Sequence, residues 1–445
     1  MSRPIYDALI EYSKRDVYPF HMPGHKRTVM NGLGNVYNVD ITEINGFDDL
    51  HMPQGIIRES MDMAREFYGT IETFYLVNGS TCGLLTAISS VCKTGDQIII
   101  SRNCHKSVHN AIALLGLDPI YWEKGTVLPL NEDVKAVVVV SPDYEGFVAD
   151  IASISKQMKD SKALLIVDEA HGAHFPFHDA FPVSAMELGA DIVIHSLHKT
   201  LPSLTQTGLL HVCSKRVDIP RIQYYLSVYQ SSSPSYVLMA SAEYAIDYGI
   251  YYKVAWERYV SMLKEYRSKI SNLKHIRLAD FKGQGYDISK IVLLVTDYNM
   301  TGLELADVLR RQYKIEVEMA ELDYVILMTS VMDSRKGFER LYQALLNIDD
   351  TLIRVKNGPG KGRYPKAEKV ILPKEALAKE TMYISYESSE CHISGDYIYI
   401  YPPGIPLLVP GEKINKGIIQ LIHQYKEKGF EVRGVRGNDI RVIKN

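Results

Sequence analysis

Five short apolar runs recur in the first half of the chain, and they constrain its fold more than any other feature of its 445 residues. QIIIS (97–101), AVVVVS (136–141), ALLIVDEA (163–170), DIVIHS (191–196) and GLLHV (208–212) are rich in β-branched residues and show no polar alternation. Runs of this kind suit strands covered on both faces, as in a parallel sheet between helices. The amphipathic stretches 80–92 and 150–159 are long enough to cross over as helices. The expectation is an α/β layered domain with a mostly parallel sheet.

After about residue 240 the pattern changes. Residues 241–275 read as long charged helices, followed by a turn-rich stretch near Gly283 and Gly285. KIVLLVTD (290–297), a helix at 302–312, EVEMAELDYVILMTS (316–330) and a helix at 336–347 suggest a smaller α+β unit. The Gly- and Pro-rich stretch 356–366 reads as a linker. YIYIYPPGIPLLVPGE (397–412) begins as an alternating strand and breaks at Pro402 and Pro403. The division expected is residues 1–285, an N-terminal arm and large domain, and 286–445, a smaller α+β region.

With 50 basic and 53 acidic side chains the net charge is −3, which leaves no footprint for nonspecific nucleic-acid binding. Cys82, Cys92, Cys104, Cys213 and Cys391 are odd in number and widely spaced, which favours reduced thiols over a disulfide scaffold. No stretch reaches the roughly 18 to 20 apolar residues of a membrane helix, and the charged N-terminus lacks a signal-peptide core. The chain is expected to be whole and cytoplasmic.

Three motifs carry chemistry. Asn78-Gly79-Ser80-Thr81 follows an apolar run and opens a helix, which offers either a phosphate cradle or an ordinary cap by Ser80 or Thr81. Asp168-Glu169-Ala170-His171 follows Leu164–Val167, so Asp168 sits at a strand end, where such sheets bind ligands or where an Asp caps the next helix. The letters DEAH imitate a nucleotide-motor box. However, the only Gly-Lys candidate, Gly360-Lys361, has Val355 where the first loop glycine belongs and Gly362 where Ser or Thr belongs. Ser196-Leu197-His198-Lys199-Thr200 follows the strand DIVIH, where a lysine either snorkels to solvent or forms a Schiff base. The pairs His171/His174, His195/His198 and His105/His109 lack HExxH or a cysteine clip, so no metal is expected.

Taken together, the motifs describe a pyridoxal phosphate site. Asp168 would hold the pyridine nitrogen protonated, Lys199 would bind the aldehyde, and Ser80, Thr81 and Ser196 would hold the phosphate. His105, in Asn103-Cys104-His105-Lys106-Ser107, could stack on the ring.

At this point the chain resembles the fold type I ornithine/lysine/arginine decarboxylases of bacteria. The matching segments are FHMPGHKR (20–27), DITEINGFDDLH (40–51), VNGSTCG (77–83), RNCHKS (102–107), VDEAHGAH (167–174), HSLHKTLPSLTQTG (195–208), SSSPSY (231–236) and YPPGIPLLVPGE (401–412). The resemblance implies an aspartate-aminotransferase-like large domain with a seven-stranded type of sheet, plus a smaller α+β C-terminal domain. It implies Lys199 as Schiff-base lysine, His198 beside the reacting centre, and Asp168 as pyridinium partner. His105 would stack, His171 would lie by the phenolic oxygen, and Ser231 would reach the phosphate of a neighbouring subunit. A homodimer or higher even oligomer follows, without the wing domain of the long inducible enzymes. Gly395-Asp396 stands where the family usually has Ala-Glu.

The activity implied is decarboxylation of a basic L-amino acid, with arginine to agmatine favoured and lysine or ornithine as alternatives. Glu43, Asp48, Asp49, Glu390 and Asp396 are candidates for the substrate's distal cation. An aminotransferase or lyase of the same fold is a rival, which the PGHK and YPPGIP segments argue against. A non-enzymatic binding protein is another, and it would have no use for Lys199.

Overall fold

The computed structural model describes residues 14–26, 28, 36–279, 285–355, 365–401 and 404–444. Most of the expected linker, 356–364, lies outside them, as do Pro402 and Pro403. A short strand β1 (Tyr18–Phe20) is followed by β2 (Glu72–Leu76), β3 (Gln97–Ser101), β4 (Asp118–Trp122), β5 (Val134–Val140), β6 (Leu164–Asp168), β7 (Ile192–His195) and β8 (Gly208–Val212). Strands β2 to β8 form one seven-stranded sheet in the order β2-β8-β7-β6-β5-β3-β4.

The pairs β3/β4, β3/β5, β5/β6 and β6/β7 are parallel, whereas β8 is antiparallel to both β7 and β2. GLLHV is therefore a buried strand but not a parallel one. Both faces of the sheet are covered, so burial dictates the apolar run and direction leaves no mark on it. Gly208 is needed where β8 threads between its neighbours, because a Cβ there would stand 2.6 Å from the His195 carbonyl oxygen. Val137, Val138, Leu165, Ile166, Val193 and Ile194 are at most 1% exposed; helices Gly79–Val91 and Lys106–Leu115 pack over Val138, Ile166 and Ile194, and the helix Ile151–Gln157 packs over Val137, Leu165 and Val193.

Beyond the sheet, helices Tyr236–Tyr251 and Lys253–Ser271 lead to a four-stranded sheet, Met319–Ala320, Tyr324–Met328, Lys290–Leu294 and Arg277–Leu278. The apolar segment 316–330 is divided by a turn at 321–323, where Gly302 packs so closely that a Cβ would meet two backbone carbonyls. Strand β1 pairs in parallel with Ile315–Val317, so the N-terminal arm joins this smaller unit. The PGHK lysine, Lys26, is buried there and donates to the carbonyls of Met328 (2.7 Å) and His21 (3.1 Å). Residues 365–444 add two three-stranded sheets and the helix Lys416–Glu427 around Ile398, Leu408, Ile422 and Tyr425. No helix among the described residues is long and apolar enough to cross a membrane.

Candidate active site

The ends of β6 and β7 and the start of the helix Gly79–Val91 all face the carboxyl edge of the large sheet. In open α/β sheets that edge is where ligands bind. Asp168 ends β6 at 4% exposure, and its Oδ1 accepts the Ala170 N–H at 3.2 Å. Burial raises its pKa, opposed by the Lys199 cation. Strand β7 runs into the short helix Leu197–Thr200, which carries His198 and Lys199. The Lys199 Nζ lies 3.1 Å from His171 Nε2. Burial lowers the Lys199 pKa, Asp168 and Glu318 pull it back up, and Lys290 pushes it down further.

Three histidines surround this amine, and burial keeps each of them uncharged. His171 is held far below the ordinary value first by burial and then by Lys199, and its Nδ1 is buried without a hydrogen-bond partner among the described residues. Its ring lies 4.7 Å, centre to centre, from that of Tyr144, whose hydroxyl donates to Glu318 Oε1 at 2.7 Å. His198 is lowered to about 4 by burial. Its Nδ1 stands 2.9 Å from the Thr207 carbonyl, which can only accept, so Nδ1 carries the proton and Nε2 is left with its lone pair. His105 caps the helix Lys106–Leu115 by accepting the Ser107 N–H at 3.2 Å, and it is lowered to about 4 by burial, with Lys199 next. Gly404, at φ +78°, brings the C-terminal region over His105, so a Cβ there would be 3.7 Å from His105 Nε2.

Ser196 is fully buried and its hydroxyl has no hydrogen-bond partner among the described residues; the Thr200 hydroxyl is likewise buried and unpaired among them. An unpaired buried hydroxyl costs on the order of 1–3 kcal/mol, which a ligand oxygen would recover. Half-buried Ser80 and exposed Thr81 lie inside the first turn of Gly79–Val91, and no side chain caps that helix start. Its free N–H groups and the Ser196 hydroxyl, two strand positions away, fit a phosphate. The donor set thus fits pyridoxal phosphate: an amine, a buried carboxylate across from it, stacking imidazole and an anion cradle.

Ser231 stands apart within the single chain. It is exposed, its hydroxyl donates to the Ser233 carbonyl at 3.2 Å, and its own carbonyl accepts from His51. The adjacent Gln230 accepts the Val77 N–H, which ties this loop to the start of the phosphate-type turn. The acid candidates also disperse. The Asp48 carboxylate accepts the backbone N–H groups of Asp49, Gln54, Gly55, Ile57 and Arg58, and Asp396 lies 3.9 Å from Arg441.

A different set of acids borders the site. A cleft of about 720 Å³ is lined by Asp143, Tyr144, Glu145, Glu321, Arg102 and Leu407 among others, and Tyr144 joins it to His171 and Lys199. Burial, with Glu145 adding to it, raises Asp143 to about 6. Burial raises Glu321 to about 7. The sequence signal for this group was available: Asp143-Tyr144-Glu145 follows β5 within three residues, at the same sheet edge where Asp168 ends β6. Glu318 and Glu321 carry no such signal.

Comparison with known proteins gives three results. Models of the Orn/Lys/Arg decarboxylase major domain match residues 3–128 and 123–285, and a model of the C-terminal domain of those enzymes matches 365–435. A Bacillus anthracis protein named arginine decarboxylase is 32% identical over 99% of this chain and 97% of its own length. A Bacillus cereus protein of the same name is 33% identical over 92% and 96%. Among solved structures, the Francisella novicida lysine decarboxylase LdcF superposes with a TM-score of 0.79 at 18% identity, covering 99% of this chain and 81% of that one.

Proposed function

The chain belongs to the Orn/Lys/Arg decarboxylase family, and on that premise we propose that it decarboxylates L-arginine to agmatine and CO2 with pyridoxal phosphate. The observation that carries this reading is Lys199, an amine with a burial-lowered pKa set between the Asp168 carboxylate and the His171 imidazole. A lysine at a strand end whose pKa is lowered by burial is suited to bind a carbonyl covalently. The full-length relatives named arginine decarboxylase support the choice of arginine. So does the cleft lined by Asp143, Glu145 and Glu321, which Tyr144 links to His171, because a guanidinium favours carboxylates.

When bound, pyridoxal phosphate supplies a ring that accepts the electron pair released as CO2 departs. The chain's own residues do the rest. Ser80, Thr81, Ser196 and the free N–H groups of the helix start would hold the phosphate. Asp168 would accept a charge-assisted hydrogen bond from the ring nitrogen and keep it protonated. His105 would cover one face. Between the two candidate proton carriers for the substrate Cα, His198 is uncharged near neutral pH, which favours the Lys199 ammonium. One proton is consumed per turnover. Ser231 would reach the phosphate of a second subunit, in a homodimer or larger even assembly.

The test is to load the purified chain with pyridoxal phosphate and supply arginine, lysine and ornithine separately, identifying each amine formed. Agmatine with the highest kcat/KM is expected. A preference for cadaverine or putrescine would replace arginine, and the absence of any amine would overturn the reading.

A further inference from the structure

We infer that Glu169 and His195 form a clamp that sets Lys199 relative to Asp168 and His171, making both of them positioning residues for the proposed chemistry. The inference rests on the function proposed above and concerns two buried groups that no step of it uses.

Glu169 directly follows Asp168 and is 1% exposed. Its carboxylate accepts from the Ser184 hydroxyl (2.5 Å), the Ala185 N–H (2.8 Å) and His195 Nε2 (2.8 Å). His195 is the last residue of β7, four before Lys199, and is fully buried. The Glu169 carbonyl also accepts the Gly172 N–H at 2.8 Å. A Cβ on Gly172 would stand 2.6 Å from Glu169 Cγ, so the turn carrying His171 rests on the Glu169 stem. One side chain therefore ties together the three segments that bear Asp168, His171 and Lys199.

The clamp continues away from the site. His195 Nδ1 lies 3.1 Å from His211 Nε2, and His211 Nδ1 lies 2.9 Å from the Thr73 hydroxyl, which meets the Thr70 hydroxyl at 2.7 Å. A carboxylate only accepts, so the His195 proton sits on Nε2. His211, kept uncharged by burial, lies between His195 Nδ1 and the Thr73 hydroxyl. The line of contacts runs from Glu169 through both rings across β7, β8 and β2, which fixes their orientation. Apolar residues could fill this volume without the cost of burying a carboxylate. The return on that cost is a single geometry at the strand ends.

The experiment uses the pyridoxal phosphate-loaded protein and four forms: the unaltered chain, Glu169→Gln, His195→Leu and His195→Gln. The last keeps an amide nitrogen near the place of Nε2. The readouts are the fraction of Lys199 fixed by borohydride, the pH midpoint of the lysine-bound chromophore without substrate, and kcat per fixed Lys199. The groups facing Lys199, namely Asp168, His105, His171, His198, Glu318 and Lys290, remain in all four. His195→Leu and Glu169→Gln should move the midpoint by about half a pH unit or more and lower kcat per site roughly tenfold, with KM within about twofold. His195→Gln should recover most of both. If His195→Leu does not fold, Glu169→Gln, which keeps its volume and can still bond Ser184 and Ala185, decides the matter. An unaltered midpoint and per-site kcat in the folded variants would overturn the clamp while leaving the proposed function standing. An unaltered chain with no borohydride-reducible cofactor would overturn both.

Discussion

Asp168 separates two roles that the same position can play at a strand end. It makes one local bond, to the Ala170 N–H, as a capping residue would, yet it also stands as the main counter-charge to Lys199. Asp168→Asn should retain cofactor and lose roughly a hundredfold or more in kcat, since a neutral amide cannot keep a pyridine nitrogen protonated. Steady-state rates normalised to bound cofactor check this, and a near-normal rate would reduce Asp168 to a cap. The neighbouring histidines give a second prediction, for the cofactor-free protein. His105 and His198 have pKa values lowered by burial to about 4, against 6.5 when unfolded. The unfolded chain therefore binds more protons between those values. Their contribution to stability is full above about pH 6.5 and is lost as pH falls toward 4, several kcal/mol for the pair. Urea unfolding from pH 7 to 4 should show that slope, and the double His105→Asn, His198→Asn variant should flatten it.

Elements differ in how clearly their sequences announce them. The runs at 97–101, 136–141, 163–170, 191–196 and 208–212 coincide with β3, β5, β6, β7 and β8 because strands covered on both faces need unbroken apolar residues. Edge strand β4 (DPIYW) did not stand out, since it is flanked on one side only and carries Asp118 and Pro119. The reversed direction of β8 was equally hidden, because burial and direction are separate properties. At the site, Asp168, Lys199, His105 and Ser196 were legible from their places at strand ends, whereas Glu318 and Glu321 come from the smaller unit and meet the site only through tertiary packing. Asp48 shows the converse: it was one of five candidates for the substrate's distal cation, and its carboxylate ties down the segment entering the helix Ile56–Tyr68. Asp48→Ala should cost about 1–2 kcal/mol in urea unfolding while leaving KM for the amino acid within about twofold. A large rise in KM with unchanged stability would return Asp48 to the substrate site.

On the scale of the whole molecule, the cleft is an assembly of parts. The large sheet supplies Asp143 and Tyr144, the smaller unit supplies Glu321, and residues 405–407 close the far wall. In the proposed function, Ser231 would extend this sharing to a second copy of the chain. Mixing Lys199→Ala with a triple alanine replacement of Ser231, Ser232 and Ser233 should restore about a quarter of the unaltered activity at random pairing, since half the dimers then hold one complete site. Mixed dimers that form and stay inactive would confine the site to one chain. The central claim, that Lys199 performs decarboxylation of arginine, is tested most directly by carboxyl-labelled arginine given to the loaded protein and to its Lys199→Ala variant. The expected result is labelled CO2 in equal amount to agmatine from the unaltered chain, with release at least about a thousandfold slower from the variant. Label that stays with the amino acid, or is released equally by both proteins, would contradict it.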